Sequence, residues 1–95
     1  MTLRILWREE AVADLEAAAA WSARQAAAVV NAVDALAAHG FVVGTVVPRV
    51  RGADAWPSTA RYWPAPPLGV VVDYLPGELV VLAVIDLRRR TGRSR

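Results

Sequence analysis

Gly69-Val70-Val71-Val72-Asp73-Tyr74-Leu75-Pro76-Gly77-Glu78-Leu79-Val80-Val81-Leu82-Ala83-Val84-Ile85 decides the fold. Two apolar, β-branched runs, Gly69 to Tyr74 and Leu79 to Ile85, flank the four residues Leu75-Pro76-Gly77-Glu78. Proline presets φ at the second position of a type II turn and glycine supplies the positive φ at the third, so the pair predicts a hairpin. The second run is seven apolar residues without alternation. A strand with one wet face alternates, so this one is expected to be covered on both. A helical layer can cover one face. No other segment looks able to cover the second fully, which points to a partner chain or a self-associated dimer.

Upstream of the hairpin, Arg61-Tyr62-Trp63 is a short strand candidate cut by Pro64, Pro66 and Pro67. Arg49 to Pro57 is polar and loop-like. The stretch 41–47, Phe-Val-Val-Gly-Thr-Val-Val, reads equally as a strand or as an extended apolar connection ended by Pro48. Before it the periodicity is helical. Ala26, Val29/Val30, Val33 and Leu36/Ala37 recur at three- and four-residue spacing, which predicts a helix from about Ala23 to His39 with Gly40 as its stop. Another helix runs from about Glu9, with Val12, Leu15 and Ala19 on one stripe and Glu9, Glu10 and Glu16 off it. Acids in the first turn favour the helix dipole. Trp21 and Ser22 mark the break, Ser22 serving as N-cap of the next helix. Residues 3–7, Leu-Arg-Ile-Leu-Trp, form a β-prone edge strand.

The chain therefore reads as a single α+β domain over 1–87 with a basic tail over 88–95. Its order is an N-terminal strand, a helical hairpin and a three-stranded antiparallel meander, β-α-α-β-β-β, with the helices packed on one face of the sheet. Ninety-five residues leave no room for a second core. With 56% hydrophobic and 21% charged residues the composition is that of a folded chain. The absence of cysteine excludes disulfides, thiolate metal sites and thiol nucleophiles. No apolar stretch approaches the ~20 residues of a membrane-spanning helix, and a cytoplasmic protein is expected.

Net charge is +2 but unevenly spread. Residues 1–40 hold three arginines and five acids, residues 41–95 eight arginines and four acids, and five arginines fall in the last eight positions. Arginine offers a planar donor fork suited to phosphate or carboxylate, so the basic half points to an acidic partner. A disordered solubilising tail is the plainer explanation of the last eight residues.

Trp7-Arg8-Glu9-Glu10-Ala11-Val12-Ala13-Asp14-Leu15 followed by Trp21, then Ala26 to Leu36, Arg61, Gly69 to Tyr74 and Leu82 to Arg89 together resemble the RelE/ParE superfamily of type II toxin–antitoxin toxins. The likeness lies in order, spacing and length; each piece is short. It departs from the RNA-cleaving branch, which carries an arginine three residues before the third-strand tyrosine; here that position is Val71. Asp86 stands where that branch has a histidine near the end of the last strand, and no tyrosine follows Tyr74.

RNA cleavage through a 2′-hydroxyl needs a base, an acid and cations at the phosphate. Only the cations are plentiful. His39, the sole histidine, reads as a helix-end cation; Tyr62 and Tyr74 read as core or interface aromatics; Asp86 reads as an ion-pair partner of Arg88. Glu9, Glu10 and Asp14 read as a solvated helix face without metal-ligand spacing, and no cofactor or metal is expected. The resemblance thus implies a ParE-like protein that binds and poisons DNA gyrase without catalysis of its own. A ribosome-dependent mRNA endonuclease, with Arg61, Arg88 and Arg89 at the phosphate, and a non-toxic dimeric or nucleic-acid-binding module are the other readings. The implied toxic surface is Arg49, Arg51, Arg61, Arg88, Arg89 and Arg90. The implied surface for a cognate antitoxin, in a hetero-oligomer, is Phe41, Val43, Val46, Trp56 and Trp63.

Overall fold

The computed structural model describes residues 2–40, 42–47 and 56–86, with Val46 by its backbone alone. Its elements are β1 (Arg4–Trp7), α1 (Glu9–Trp21), α2 (Ala23–His39), β2 (Thr45–Val46), β3 (Arg61–Ala65), β4 (Leu68–Leu75) and β5 (Glu78–Asp86). Two helices lie against one face of a five-stranded sheet of order β1-β5-β4-β3-β2. This is a small α+β fold. The expected hairpin is β4–β5, with Gly77 at φ 75° in its turn. A meander β3-β4-β5 is present. The sheet differs from an all-antiparallel one because β1 pairs parallel with β5. A fourth strand also follows the helices: β2, two residues inside the 41–47 stretch, pairs with β3.

Local signals explain the helices. The Ser22 hydroxyl accepts the Gln25 amide at 3.2 Å and so caps α2. Gly40 closes that helix in the left-handed region at φ 85°. Ala26, Val29, Val33, Leu36 and Ala37 form its buried stripe, as their spacing predicts. In α1 the phase differs from expectation. Ala11 and Ala18 are buried and Leu15 is half-buried against the core, whereas Val12 and Ala19 are exposed. Small residues let the helix approach the sheet closely, and that closeness outweighs the larger apolar area of Val12. Trp21 is exposed at 49%, whereas Trp7 at the end of β1 packs against the core.

β3 runs through Pro64 to Ala65 instead of stopping at Trp63. Beyond Tyr62 its outer side has no described neighbour, and a missing N–H on a sheet edge costs nothing. The chain then turns through a cis Pro66-Pro67 peptide into β4.

The unalternating run of β5 is resolved by a bulge. Val71 pairs with Ala83 and Val72 with Val81, leaving Leu82 as an extra residue. Leu79, Val81 and Val84 therefore face the helices, in a core with Val29, Val33, Leu36, Val70 and Val72. Leu82 and Ala83 both face the other side, clustering with Val71 and Ala60. Of this second face, which was expected to need a partner, the chain's own residues cover the part around Val71, Leu82 and Ala83, while Val80 and Ile85 remain half-buried. Val47, Trp56 and Ala60 pack there with Tyr62, and Val71 is fully buried. The Tyr62 ring also lies over Gly69, where a Cβ would sit 2.7 Å from ring atom Cζ, so only glycine leaves the ring its place.

Asp14 corrects the reading of the α1 acids as wholly solvated. It is half-buried, and its Oδ2 accepts the amide of Val84 at 3.0 Å, just past the bulge. β1 ends at Trp7, opposite Val81, so no strand remains to satisfy that amide. Burial, followed by the charge of Glu10, raises the Asp14 carboxyl above its ordinary 3.8, while the Val84 amide pulls the other way. The folded chain then holds a proton that the unfolded chain releases between pH 3.8 and the raised value, so stability falls as pH rises through that interval and is level above it. Asp14→Ala strands the Val84 amide and is expected to cost about 1–3 kcal/mol in denaturant melts at neutral pH. Asp14→Asn keeps an acceptor and removes the charge; it should retain most of the stability and lose that acidic-range slope.

Candidate functional site

Of the residues that the resemblance singles out, Phe41, Arg49, Arg51, Arg88, Arg89 and Arg90 lie outside the described residues. The others do not form one surface. Directly opposite residues of a sheet share a face. Arg61 pairs with Val72 and Trp63 with Val70, both of which face the helices. Arg61 and Trp63 therefore stand two positions apart on the helix side of β3, Arg61 half-buried and Trp63 exposed at 38%. Trp56 is half-buried on the opposite face, against Val71 and Leu82. Val46 lies in β2 opposite Arg61. Val43 is half-buried and packs against the helix-side core.

The end of β4 holds two connections at once. The Tyr74 hydroxyl donates to the Val43 carbonyl at 3.2 Å and accepts the Val43 amide at 3.4 Å, so it ties down the segment leaving α2 on the helix side. Burial pushes this phenol above its ordinary range, against the opposing pull of the Val43 amide. Such a group is a poor proton relay near neutral pH, and its hydrogen-bonding capacity is already engaged. One residue earlier, the strand presents its other face. Asp73 Oδ1 accepts the Thr59 hydroxyl at 2.8 Å and so holds the 57–60 turn that covers Val71. It also accepts the Tyr74 amide at 3.0 Å.

The position at which the RNA-cleaving branch carries arginine is Val71. It is 0% exposed beneath Trp56 and Ala60, so no solvent or phosphate reaches it. Among the described residues no group of three His, Asp or Glu side chains is placed to hold a metal ion, and no helix is long and apolar enough to cross a membrane.

A feature absent from the sequence reading lies at the end of β1. Trp7, Glu9, Glu10, Val12, Ala13 and Glu16 line an open recess. Glu9, Val12, Ala13 and Glu16 follow helical i, i+3, i+4, i+7 spacing, on the side of α1 away from buried Ala11 and Ala18. That spacing is visible in the sequence, but assigning Val12 to the core hides it. A scan against models of known protein families finds no match, and a search of curated proteins finds none either.

Tyr74→Phe removes both bonds to Val43 and nothing else. It is expected to lower stability by about 0.5–1.5 kcal/mol and to speed hydrogen exchange at the Val43 amide. Unchanged exchange there means that the hydroxyl does not hold this segment.

Proposed function

We propose that this chain is the toxin half of a toxin–antitoxin pair and acts as a ParE-like binder that poisons DNA gyrase. The reading is supported by the order strand, helical hairpin, antiparallel meander, with the first strand set beside the last, together with the quoted stretches that resemble the RelE/ParE superfamily. The observation that carries the choice of a binder over a nuclease is the burial of Val71 in the second-face cluster. A transition-state cation cannot act from a sealed apolar cluster. The engagement of Tyr74 with Val43 points the same way. The arginines of the implied surface, of which Arg61 lies on β3, then serve affinity for an acidic target. Gyrase as that target comes from the resemblance alone.

Expression of the chain in a bacterium is expected to stop growth with filamentous cells and accumulated cleaved DNA, and co-expression of the neighbouring gene to restore growth. Ribosome-dependent cuts in mRNA would instead assign the chain to the RNA-cleaving branch, and unimpaired growth to a non-toxic module.

A sharper expectation concerns Val71→Arg. Introducing the arginine of the nuclease branch buries an unpaired charge, so the variant is expected to lose at least ~3 kcal/mol of stability and to gain no RNase activity. A folded Val71→Arg chain that cuts ribosome-bound mRNA would overturn the binder reading.

A further inference from the structure

β1 ends the sheet, and its outer edge meets no described strand. Arg4 and Arg8 send their amides inward, to the carbonyls of Gly77 at 2.9 Å and Val81 at 3.0 Å. In a parallel ladder alternate residues direct N–H and C=O to the same side, so Ile5 and Trp7 direct theirs outward. Between them Leu6 is 41% exposed, on the face opposite the helices and level with Val80. Trp7 is also one wall of the recess formed with Glu9, Glu10, Val12, Ala13 and Glu16, so edge and recess are continuous through it. Arg4 pairs with Glu78 at 2.9 Å, and among the described residues no salt bridge is seen to Glu9, Glu10 or Glu16.

The geometry points to the outer edge of β1 as a docking site for an extended basic segment of another protein. That segment hydrogen-bonds to the backbone of Ile5 and Trp7, lays an aliphatic side chain on Leu6, and delivers arginine or lysine to the glutamates beside Trp7. Main-chain pairing supplies affinity, and the alternating side chains supply selection. An arginine stacked on Trp7 and paired with carboxylates satisfies both its plane and its donor fork. Charge sets the occupant. Nucleic acid is repelled by Glu9, Glu10 and Glu16. A second copy pairing antiparallel about Leu6 brings Arg4 of one chain opposite Arg8 of the other, and like charges directly opposite destabilise a strand pair. The site is separated from Arg61 and Trp63 by β5 and β4, and it stands whatever the cellular target is.

The test titrates the full chain with a short peptide alternating arginine and valine, and with its counterpart alternating glutamate and valine, while amide exchange is read by NMR. The arginine peptide should bind, slow exchange at Ile5 and Trp7, and weaken as salt is raised. The double variant Glu9→Lys with Glu16→Lys, both exposed and thus able to change without loss of fold, should lower its affinity about tenfold. Equal binding of the glutamate peptide, binding without protection of Ile5 and Trp7, or no binding at all overturns the proposal. So does protection of those two amides in a dimer of the chain without peptide.

Discussion

The extra residue in β5 is the constraint on which the remaining packing rests. A strand paired along both edges and covered on both faces must divide its side chains between two apolar layers. Strict alternation over Leu79 to Ile85 would send Ala83 to the helices and Val84 to the opposite layer. With Leu82 bulged, Val84 closes the helix-side core while Leu82 and Ala83 together fill the shallower second layer. The irregularity falls where β1 gives out, so the strand loses a neighbour at nearly the point where it loses its phase. The Asp14 carboxylate stands in for the missing strand by accepting the Val84 amide. Helix α1 is thereby fixed in rotation by a polar contact as well as by its alanines.

β4 plays a complementary part. Its last residues fasten one connection on each face, Val43 through Tyr74 and the 57–60 turn through Asp73. Both side chains are thus occupied in closing the fold. The same turn seals Val71 from solvent. The groups left exposed lie on the rim: Trp63, with half-buried Arg61, on one flank, and the recess glutamates beside β1 on the other.

Much of this architecture is legible in the sequence because it is local. Pro76-Gly77 states its turn, Ser22 and Gly40 bracket α2, and the valine and leucine spacing of α2 fixes its buried side. What is illegible depends on distance or on phase. In α1 alanines occupy nearly every direction, so hydrophobicity does not distinguish the Ala11–Ala18 stripe from the one through Val12. The partner of Asp14 is 70 residues away. Pro64 looks like a strand breaker until the neighbour missing from its outer side is known. The cover over Val71 was missed because Trp56 and Ala60 carry no periodic signal; a tryptophan, a small residue and a turn suffice when the surface beneath is narrow. The site was less legible than the fold. Arg61, Trp63 and Trp56 are near neighbours in sequence, yet the sheet puts Trp56 on the opposite face.

The parallel pairing of β1 with β5 has a bearing on how the chain is made. Arg4 meets Glu78, so β1 is completed by a strand made more than 70 residues later. As the chain leaves the ribosome, β1 and both helices emerge well before the strand that carries Leu79, Val81 and Val84. Until that strand arrives, Val29, Val33 and Leu36 have Val70 and Val72 of β4 but lack the β5 part of the surface that buries them in the finished domain. Contacts of such separation close late and leave apolar surface open to other chains in the interval. The sheet therefore closes only when Glu78 to Asp86 has been made, and a product ending before residue 78 keeps β2, β3 and β4 but leaves β1 without its strand partner.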